Sequence, residues 1–502
     1  MKVNHASPPQ GTIRDWLLHR AYTQGTEPAY IFCDGAQTLT WQNVHDHARD
    51  IAAILTKQGI AKGESIAIIL PNSYDAILCL FGVLYGGFQA TVINLAAGDD
   101  AMAYALEHCE ARFAYVGAAQ MEQFDRVRPT GLRALELPQP DLPPVDTPLH
   151  DLSAQDAALL MYTSGTTGQP KGVVHSHSSL LAGGWTPTVA HELTPQDRGL
   201  CVLPICHING LCVTVMGALV SGGSLAIAPK FSASRFWEQC AESGVTWFSI
   251  VPTIISHLLH SDINPTAETR ARLRFGRSAS APLAPDVQTA FETRFGLPII
   301  ETMGLTETAA QILSNPPGDG IRKIGSPGLA YGNQACILSP ELRPLPAGVE
   351  GEIAVRGPNV MREYLKNPEA TKASFTPDGW LRTGDLGKVD EDGYYFVTGR
   401  LKELIIKGGE NIAPREIDEA LYSNPDVIEA AAYARPCKTY GERVEAAVKI
   451  SEDSSLTEAE LIEICHSKLG KFKSPDRVYI LEDLPKGPSG KIQRRLLAEM
   501  KT

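Results

Sequence analysis

Residues 161–177 read MYTSGTTGQPKGVVHSH. Thr163, Ser164, Thr166 and Thr167 crowd around Gly165, Gly168 and Gly172, and Lys171 stands near the end. Glycines let a backbone turn tightly and approach a ligand closely. Exposed backbone N–H groups, hydroxyls and one ammonium are what a polyphosphate needs. The apolar run 157–162 leads in, and Val173 and Val174 lead out. The stretch therefore reads as a strand, a glycine-rich loop and a second strand or turn. It is not a Walker A loop, because no Lys-Ser/Thr pair follows the last glycine before a helix. A flexible Ser/Thr/Gly linker is the plain alternative. The flanking apolar runs and the lysine at the loop's end favour phosphate.

Working outward, helical spacing at 12–24, 44–58, 75–85 and 101–109 alternates with strand-like runs at 29–33, 64–70, 90–95 and 113–116. That alternation predicts parallel sheets covered by helices. Residues 129–148, rich in proline and leucine, read as a surface connection. Beyond the loop, strands are expected at 200–203, 224–228, 246–251 and 298–301, with helices at 210–220, 231–243, 253–260 and 287–295. Residues 320–400 carry many glycines and short alternating runs such as 352–356 and 394–398, which indicates a small β-rich subdomain. From 401 the chain is charged and mixed, with helices expected at 416–423 and 457–469 and strands at 445–450 and 478–481.

A chain of 502 residues, 43% of them hydrophobic, can bury sizeable cores and suggests two to four domains or subdomains. The net charge of −12, from 45 basic and 57 acidic residues, gives no electrostatic footprint for nucleic acid. Ten cysteines include no CxxC pair, and MKVNHASPPQ at the start lacks a basic-then-apolar signal pattern. Both fit a reducing cytoplasm. The most membrane-like run, 76–95, is broken by Gly82, Gly86 and Gly87 and carries Gln89 and Asn94, so a buried helix–turn–strand is expected rather than a span.

Four more segments carry polar groups in patterns that suit chemistry. ETMGLTET at 301–308 offers a carboxylate and hydroxyls of the kind Mg²⁺ takes; spacing alone favours a helix N-terminus with Thr306 as cap and Glu307 near the dipole. GWLRTGDLG at 379–387 sets Asp385 between glycines in an expected loop, where it would accept ribose hydroxyls or merely make a turn. TGRLKELIIKGGENIAPREIDEAL occupies 398–421, and PKGPSGKIQRRL occupies 485–496 with Lys491 in a Gly/Pro/Ser loop. On its own such a lysine is solvated surface. His207, in LPICHINGLC at 203–212, is by itself a core or cap histidine.

Taken in order, the loop and these four segments resemble the motifs of the adenylate-forming superfamily: acyl-CoA synthetases, luciferases and peptide-synthetase adenylation domains. The resemblance covers nearly the whole chain. It implies an α/β fold. A large domain over 1–400 would hold helix-covered sheets and the small β-rich subdomain. A small mobile α+β domain would follow over 401–502. It implies an ATP-dependent acyl-CoA synthetase acting on a small carboxylic acid, with ATP, Mg²⁺ and coenzyme A, as a monomer or homodimer. Thr163, Ser164, Gly165, Thr166, Thr167, Gly168 and Lys171 would hold phosphates. Glu307 matches the magnesium-coordinating glutamate and Thr306 the threonine at the α-phosphate. Asp385 and Arg400 would touch the ribose, with Ala279, Ser280, Ala281 and Gly304 also on the nucleotide side. Met303 stands where the family usually has an aromatic residue on adenine, which implies altered adenine affinity. Lys491 matches the adenylation lysine and Lys402 the hinge. Gly408 and Gly409 match the turn along which pantetheine passes. His207 falls where the acyl pocket meets that tunnel, and is assigned a pocket and catalytic role. A carrier-protein ligase and a catalytically dead binding protein are the rival readings.

For the acid, APKFSASRFW (228–237), TWFSIVPTI (246–254) and GRSASAPLAP (276–285) look most like the oxalate–CoA ligase branch. Trp185, His207, Asn209, Arg277, Ser278 and Ser280 fall in segments expected near the acyl site. They offer bulk and donors where a fatty-acid tunnel would favour small apolar residues. Arg277, or His207 with Asn209, would meet a second anion; alternatively Arg277 points away and pairs with a surface carboxylate. Oxalate is expected first, then a sulfonated or other short dicarboxylic acid.

Overall fold

Thr12 and Thr40 open the first two helices, Ile13–Gln24 and Trp41–Lys57, by accepting from the N–H three residues on, while Asp15 and Asn43 return the bond to the cap. Such reciprocal capping satisfies donors that the helix itself leaves open. These helices belong to a computed structural model that describes residues 7–35, 37–138, 147–163, 170–487 and 491–500. The second helix packs on Tyr74–Gly86, buried continuously from Ala76 onward. That helix and the strand Gln89–Val92 are the run that resembled a membrane segment. Among the described residues no helix is long and apolar enough to cross a membrane.

The described strands form four sheets. The first, in spatial order, holds Glu363–Tyr364, Gly172–Ser176, Ala157–Tyr162, Gln89–Val92, Ser65–Ile69, Phe113–Val116 and Arg133–Leu135. The second runs Leu329–Ala330, Ala310–Ser314, Ile299–Leu305, Phe275–Ser278, Trp247–Ile250, Arg198–Cys201, Ser224–Ile227, Pro28–Phe32 and Thr38–Thr40. The interiors of both are parallel. The interior strands are buried along most of their length, as parallel sheets covered by helices must be. The third is antiparallel: Gln334–Leu338, Gly351–Arg356, Leu381–Val389 and Tyr395–Arg400. The fourth begins at Ile405–Lys407 and centres on Val427–Cys437 and Gly441–Ile450, with helices Pro414–Tyr422 and Glu458–Lys473 packed together over its apolar face. This is the α/β architecture expected, down to the β-rich piece before residue 400.

Four expectations need correction. The stretch 129–148 is more than a connection, since Arg133–Leu135 adds a parallel edge strand beside Phe113–Val116. The buried helix expected at 210–220 is a widened π-helix, Asn209–Met216, that tightens into Gly217–Ser221; such widenings recur at functional sites. Asp385 lies within a strand rather than a loop, with Gly384 at φ 74° making the local irregularity that only glycine adopts freely. ETMGLTET opens no α-helix. Its strand runs on to Leu305, Thr306–Thr308 makes one tight turn, and Thr306 caps nothing. The return strand Ala310–Ser314 passes so close that a Cβ on Gly304 would stand 2.0 Å from Ala310 O.

Candidate active site

Strands Ala157–Tyr162, Phe275–Ser278 and Ile299–Leu305 reach one cavity of about 780 Å³ with their C-terminal ends, presenting Tyr162 and Thr163, Ala279 and Ser280, and Gly304 to Glu307. Ligands of open α/β sheets bind at such strand ends. Lys402, Glu403, Lys491 and Arg494 close the far side.

At one end, Thr163 N donates to Lys171 O at 2.9 Å, joining the two sides of the glycine-rich segment. Ser164, Gly165, Thr166, Thr167 and Gly168 lie outside the described residues. The Lys171 ammonium sits 4.5 Å over the Tyr364 ring, and Tyr364 donates its hydroxyl to Glu307 Oε1 at 2.6 Å. The turn that carries Glu307 is fixed twice more. Met361 N donates to Glu307 O at 2.7 Å, and His175 Nε2 donates to Thr306 O at 2.7 Å. Burial pulls His175 down to about 4, so it is a neutral donor. Among the described residues no group of three or more His, Cys, Asp or Glu could hold a metal. Glu307, with one oxygen engaged by Tyr364, is a lone carboxylate near the same ring as the Lys171 ammonium. That suits a magnesium ion carried mainly by substrate phosphates and waters rather than by a protein cage.

Arg400 Nε donates to Asp385 Oδ1 at 2.6 Å across adjacent strands. Arg400 lines the cavity and Asp385 is tucked behind it, where burial pushes its pKa up against the pull of Arg400 and Lys491. Lys491 Nζ stands 3.8 Å from Glu403 Oε1. Its side chain is 37% exposed, and it lines the cavity. Desolvation between the surrounding walls lowers its pKa, and Glu403 opposes that shift. Gly408 and Gly409 form the turn between Ile405–Lys407 and Glu410–Ile412, beside Tyr440 and Phe472, and do not line the cavity.

At the other end Arg277 is 1% exposed. It donates from Nε to Gln311 Oε1 at 3.0 Å, and from Nη1 to Asn209 Oδ1 at 2.8 Å and Ser249 Oγ at 3.0 Å. Asn209 in turn donates to Ser280 Oγ at 3.2 Å. None of these acceptors is charged, and burial pulls the guanidinium down to about 9. His207, Asn209, Arg277 and Ser280 share the wall. Ser280, Ala309 and Ala310 hold φ of 73°, 45° and 86°, strain that clusters at working sites and costs on the order of 1 kcal/mol each.

Besides Asp385, Gly408 and Gly409, four expected site residues are not on the wall. Trp185 is core, its ring filling the space above Gly332. Ser278 is fully buried, and its carbonyl accepts from Thr302. Ala281 stands beyond the lining residues. Met303 is half-buried against the cluster of Ile312, Leu313, Ile337 and Ile353 beneath the antiparallel sheet. Tyr364 was missed. Its segment, REYLKNPEAT, bears no local mark of a site; its meaning comes from Glu363–Tyr364 pairing with Val173 and Val174.

An AMP-binding enzyme model matches residues 17–365, and the model of that family's C-terminal domain matches 416–491. The chain belongs to the AMP-binding enzyme family. It is an AMP-forming carboxylate–CoA ligase by the same comparisons, as the motifs implied. A sulfoacetate–CoA ligase of Cupriavidus necator is 42% identical to this AMP-binding enzyme over 496 residues, 96% of each chain. An oxalate–CoA ligase of Arabidopsis thaliana is 34% identical, over 96% of this chain and 97% of its own. ATP-bound MatB from Rhodopseudomonas palustris superimposes with a TM-score of 0.88 at 29% identity, over 98% of this chain and 99% of its own; its apo form gives 0.78.

Proposed function

We propose that this enzyme activates a two-carbon acid bearing a second strong anion, sulfoacetate first and oxalate next, and passes it to coenzyme A. The observation that carries the reading is Arg277: fully buried, on the cavity wall, and hydrogen-bonded only to neutral groups. Burying an unpaired charge costs several kcal/mol, so a buried arginine facing a cavity points to an anionic ligand. Sequence reading ranks oxalate first. The 42% relative, and a tetrahedral sulfonate's fit to Arg277, Asn209 and Ser280 donors on one wall, move sulfoacetate ahead.

In the first half-reaction a carboxylate oxygen of the acid attacks the α-phosphorus of ATP. The bond to the β-phosphate bridge breaks, and pyrophosphate leaves with that electron pair. Lys491, in reach of the cavity and close to Arg400 and Asp385, would neutralise charge building at the α-phosphate. Lys171 and the loop would hold the outer phosphates, Thr306 the α-phosphate, and Arg400 backed by Asp385 the ribose. Magnesium held at Glu307 would shield the phosphate charge. In the second half-reaction the coenzyme A thiol attacks the acyl carbon, loses its proton, and AMP departs. Gly408 and Gly409 stand away from the cavity while Lys491 lines it, so the present arrangement suits adenylation. A rotation near Lys402 would exchange them, with the moving domain beginning at 401 and His207 gating the thiol's entry. A reducing cytoplasm suits ten cysteines that are all free thiols.

Pyrophosphate release with and without coenzyme A, scored as kcat/KM for sulfoacetate, oxalate, malonate, acetate, octanoate and benzoate, tests this. Sulfoacetate or oxalate should lead, with thioester formed only when coenzyme A is present. Octanoate or benzoate leading would overturn it.

A further inference from the structure

Behind Arg277 lies a second layer that never reaches the cavity. Gln311 is wholly buried, and its Oε1 accepts both Arg277 Nε at 3.0 Å and His191 Nε2 at 3.1 Å. The arginine donor fixes which end of the amide carries the oxygen. His191 is also wholly buried, set against the rings of Trp247 and Phe275. Burial, then Arg277 itself, pulls His191 down to about 3, so it is a neutral imidazole whose Nε2–H is committed to Gln311. The layer is therefore uncharged by construction.

A buried arginine ordinarily has a carboxylate beside it. A glutamate at 311 would differ from the glutamine by one heavy atom and would supply that carboxylate at the same 3.0 Å. Glutamine instead orients the guanidinium plane without neutralising it. With Nε on Gln311 and Nη1 on Asn209 and Ser249, Nη2 makes no hydrogen bond among the described residues. Its charge is left to be met by what enters the cavity.

We infer that Gln311, held by His191, is a positioning residue that sets acid specificity: it keeps Arg277 oriented but without a counter-ion, so that the acid's own second anion must serve as one. The inference rests on reading Arg277 as the receptor for that anion, and it names what tunes the receptor.

Gln311→Glu and Gln311→Met separate charge from geometry. Glu at 311 should pair with Arg277 and lower the sulfoacetate-to-acetate ratio of kcat/KM by about 100-fold, the scale of a close charge pair. Met at 311 keeps the volume and loses both hydrogen bonds. It should raise KM for sulfoacetate about 10-fold, with kcat within about threefold and KM for ATP unchanged, since a hydrogen bond to a charged group is lost. A thermal shift with ATP confirms that each variant is folded, and if the glutamate variant does not fold, the methionine variant decides. An unchanged acid ratio in Gln311→Glu, or equal losses for sulfoacetate, acetate and ATP in Gln311→Met, overturns the inference. A native enzyme that prefers octanoate or benzoate overturns instead the reading of Arg277.

Discussion

Tyr364 links Glu307 to Lys171: its hydroxyl donates to Glu307 Oε1 at 2.6 Å while its ring lies 4.5 Å beneath the Lys171 ammonium. Desolvation and then the Glu307 charge push its pKa well up, so it remains a donor at any working pH. Tyr364→Phe removes the hydroxyl and keeps the ring. Glu307 would then swing freely, and the magnesium concentration for half-maximal adenylation should rise about 10-fold, as expected when a hydrogen bond to a charged group is lost. KM for the acid should not move. A titration of magnesium at fixed ATP reads this directly; an unchanged midpoint would show that Glu307 needs no support.

Lys491 reaches the cavity wall within the electrostatic range of Asp385 and Arg400, whereas Gly408 and Gly409 do not line it. A lysine used only in this arrangement serves one half-reaction. Lys491→Ala should therefore lower pyrophosphate release by several orders of magnitude, as removal of a charge contact made mainly in the transition state does. Thioester formation from a supplied acyl adenylate should remain within about 10-fold of native. Equal loss in both assays would sink the assignment.

Arg277→Lys keeps one positive charge but replaces a planar five-donor fork with a point charge on a flexible stem. An ammonium cannot serve Gln311, Asn209 and Ser249 together in their present plane. We expect kcat/KM for sulfoacetate and oxalate to fall by about 100-fold or more, with acetate changed far less. Loss shared equally by acetate would mean that Arg277 braces the wall and does not read the acid.

What was legible beforehand divides by range. Strands such as Phe113–Val116 and the helix Tyr74–Gly86 announce themselves through apolar runs and nearby glycine, and the structure keeps them almost to the residue. Lys171, Arg400 and Lys491 stood inside motifs, and the fold brings all three to one cavity. Helix His177–Ala190 was not foreseen, because HSSLLAGGWTPTVA is buried nearly all round, has no amphipathic stripe and contains Pro187. The glycines flanking Asp385 look like turn residues and suggest a loop, yet cross-strand pairing with Arg400 decides the matter. Trp185 and Met303 were drawn toward the ligands by their place in sequence and were claimed by packing. Gln311 and Tyr364 gave no local signal at all, because each acquires its role from a partner distant in the chain.

Glu301 opens ETMGLTET but lies behind the cavity rather than on it. It is 3% exposed; Oε1 accepts from Leu283 N at 3.2 Å and Oε2 has no hydrogen-bond partner among the described residues. Desolvation raises its pKa to about 7, with Arg415 pulling the other way. An acid whose pKa is raised in the folded protein binds its proton more tightly folded than unfolded. Its protonated form therefore favours folding below the unfolded value near 4.5, and that contribution is lost as pH rises through about 7. Across that window the loss approaches about 3 kcal/mol. Glu301→Gln preserves the acceptor for Leu283 N and cannot ionise. Thermal melting at pH 5 and pH 8 should show the native Tm lagging the variant at pH 8 by several degrees and converging with it at pH 5. If the two proteins instead lose stability in parallel between those pH values, Glu301 is already ionised and solvated in the folded enzyme, and its carboxylate must have found water or Arg415.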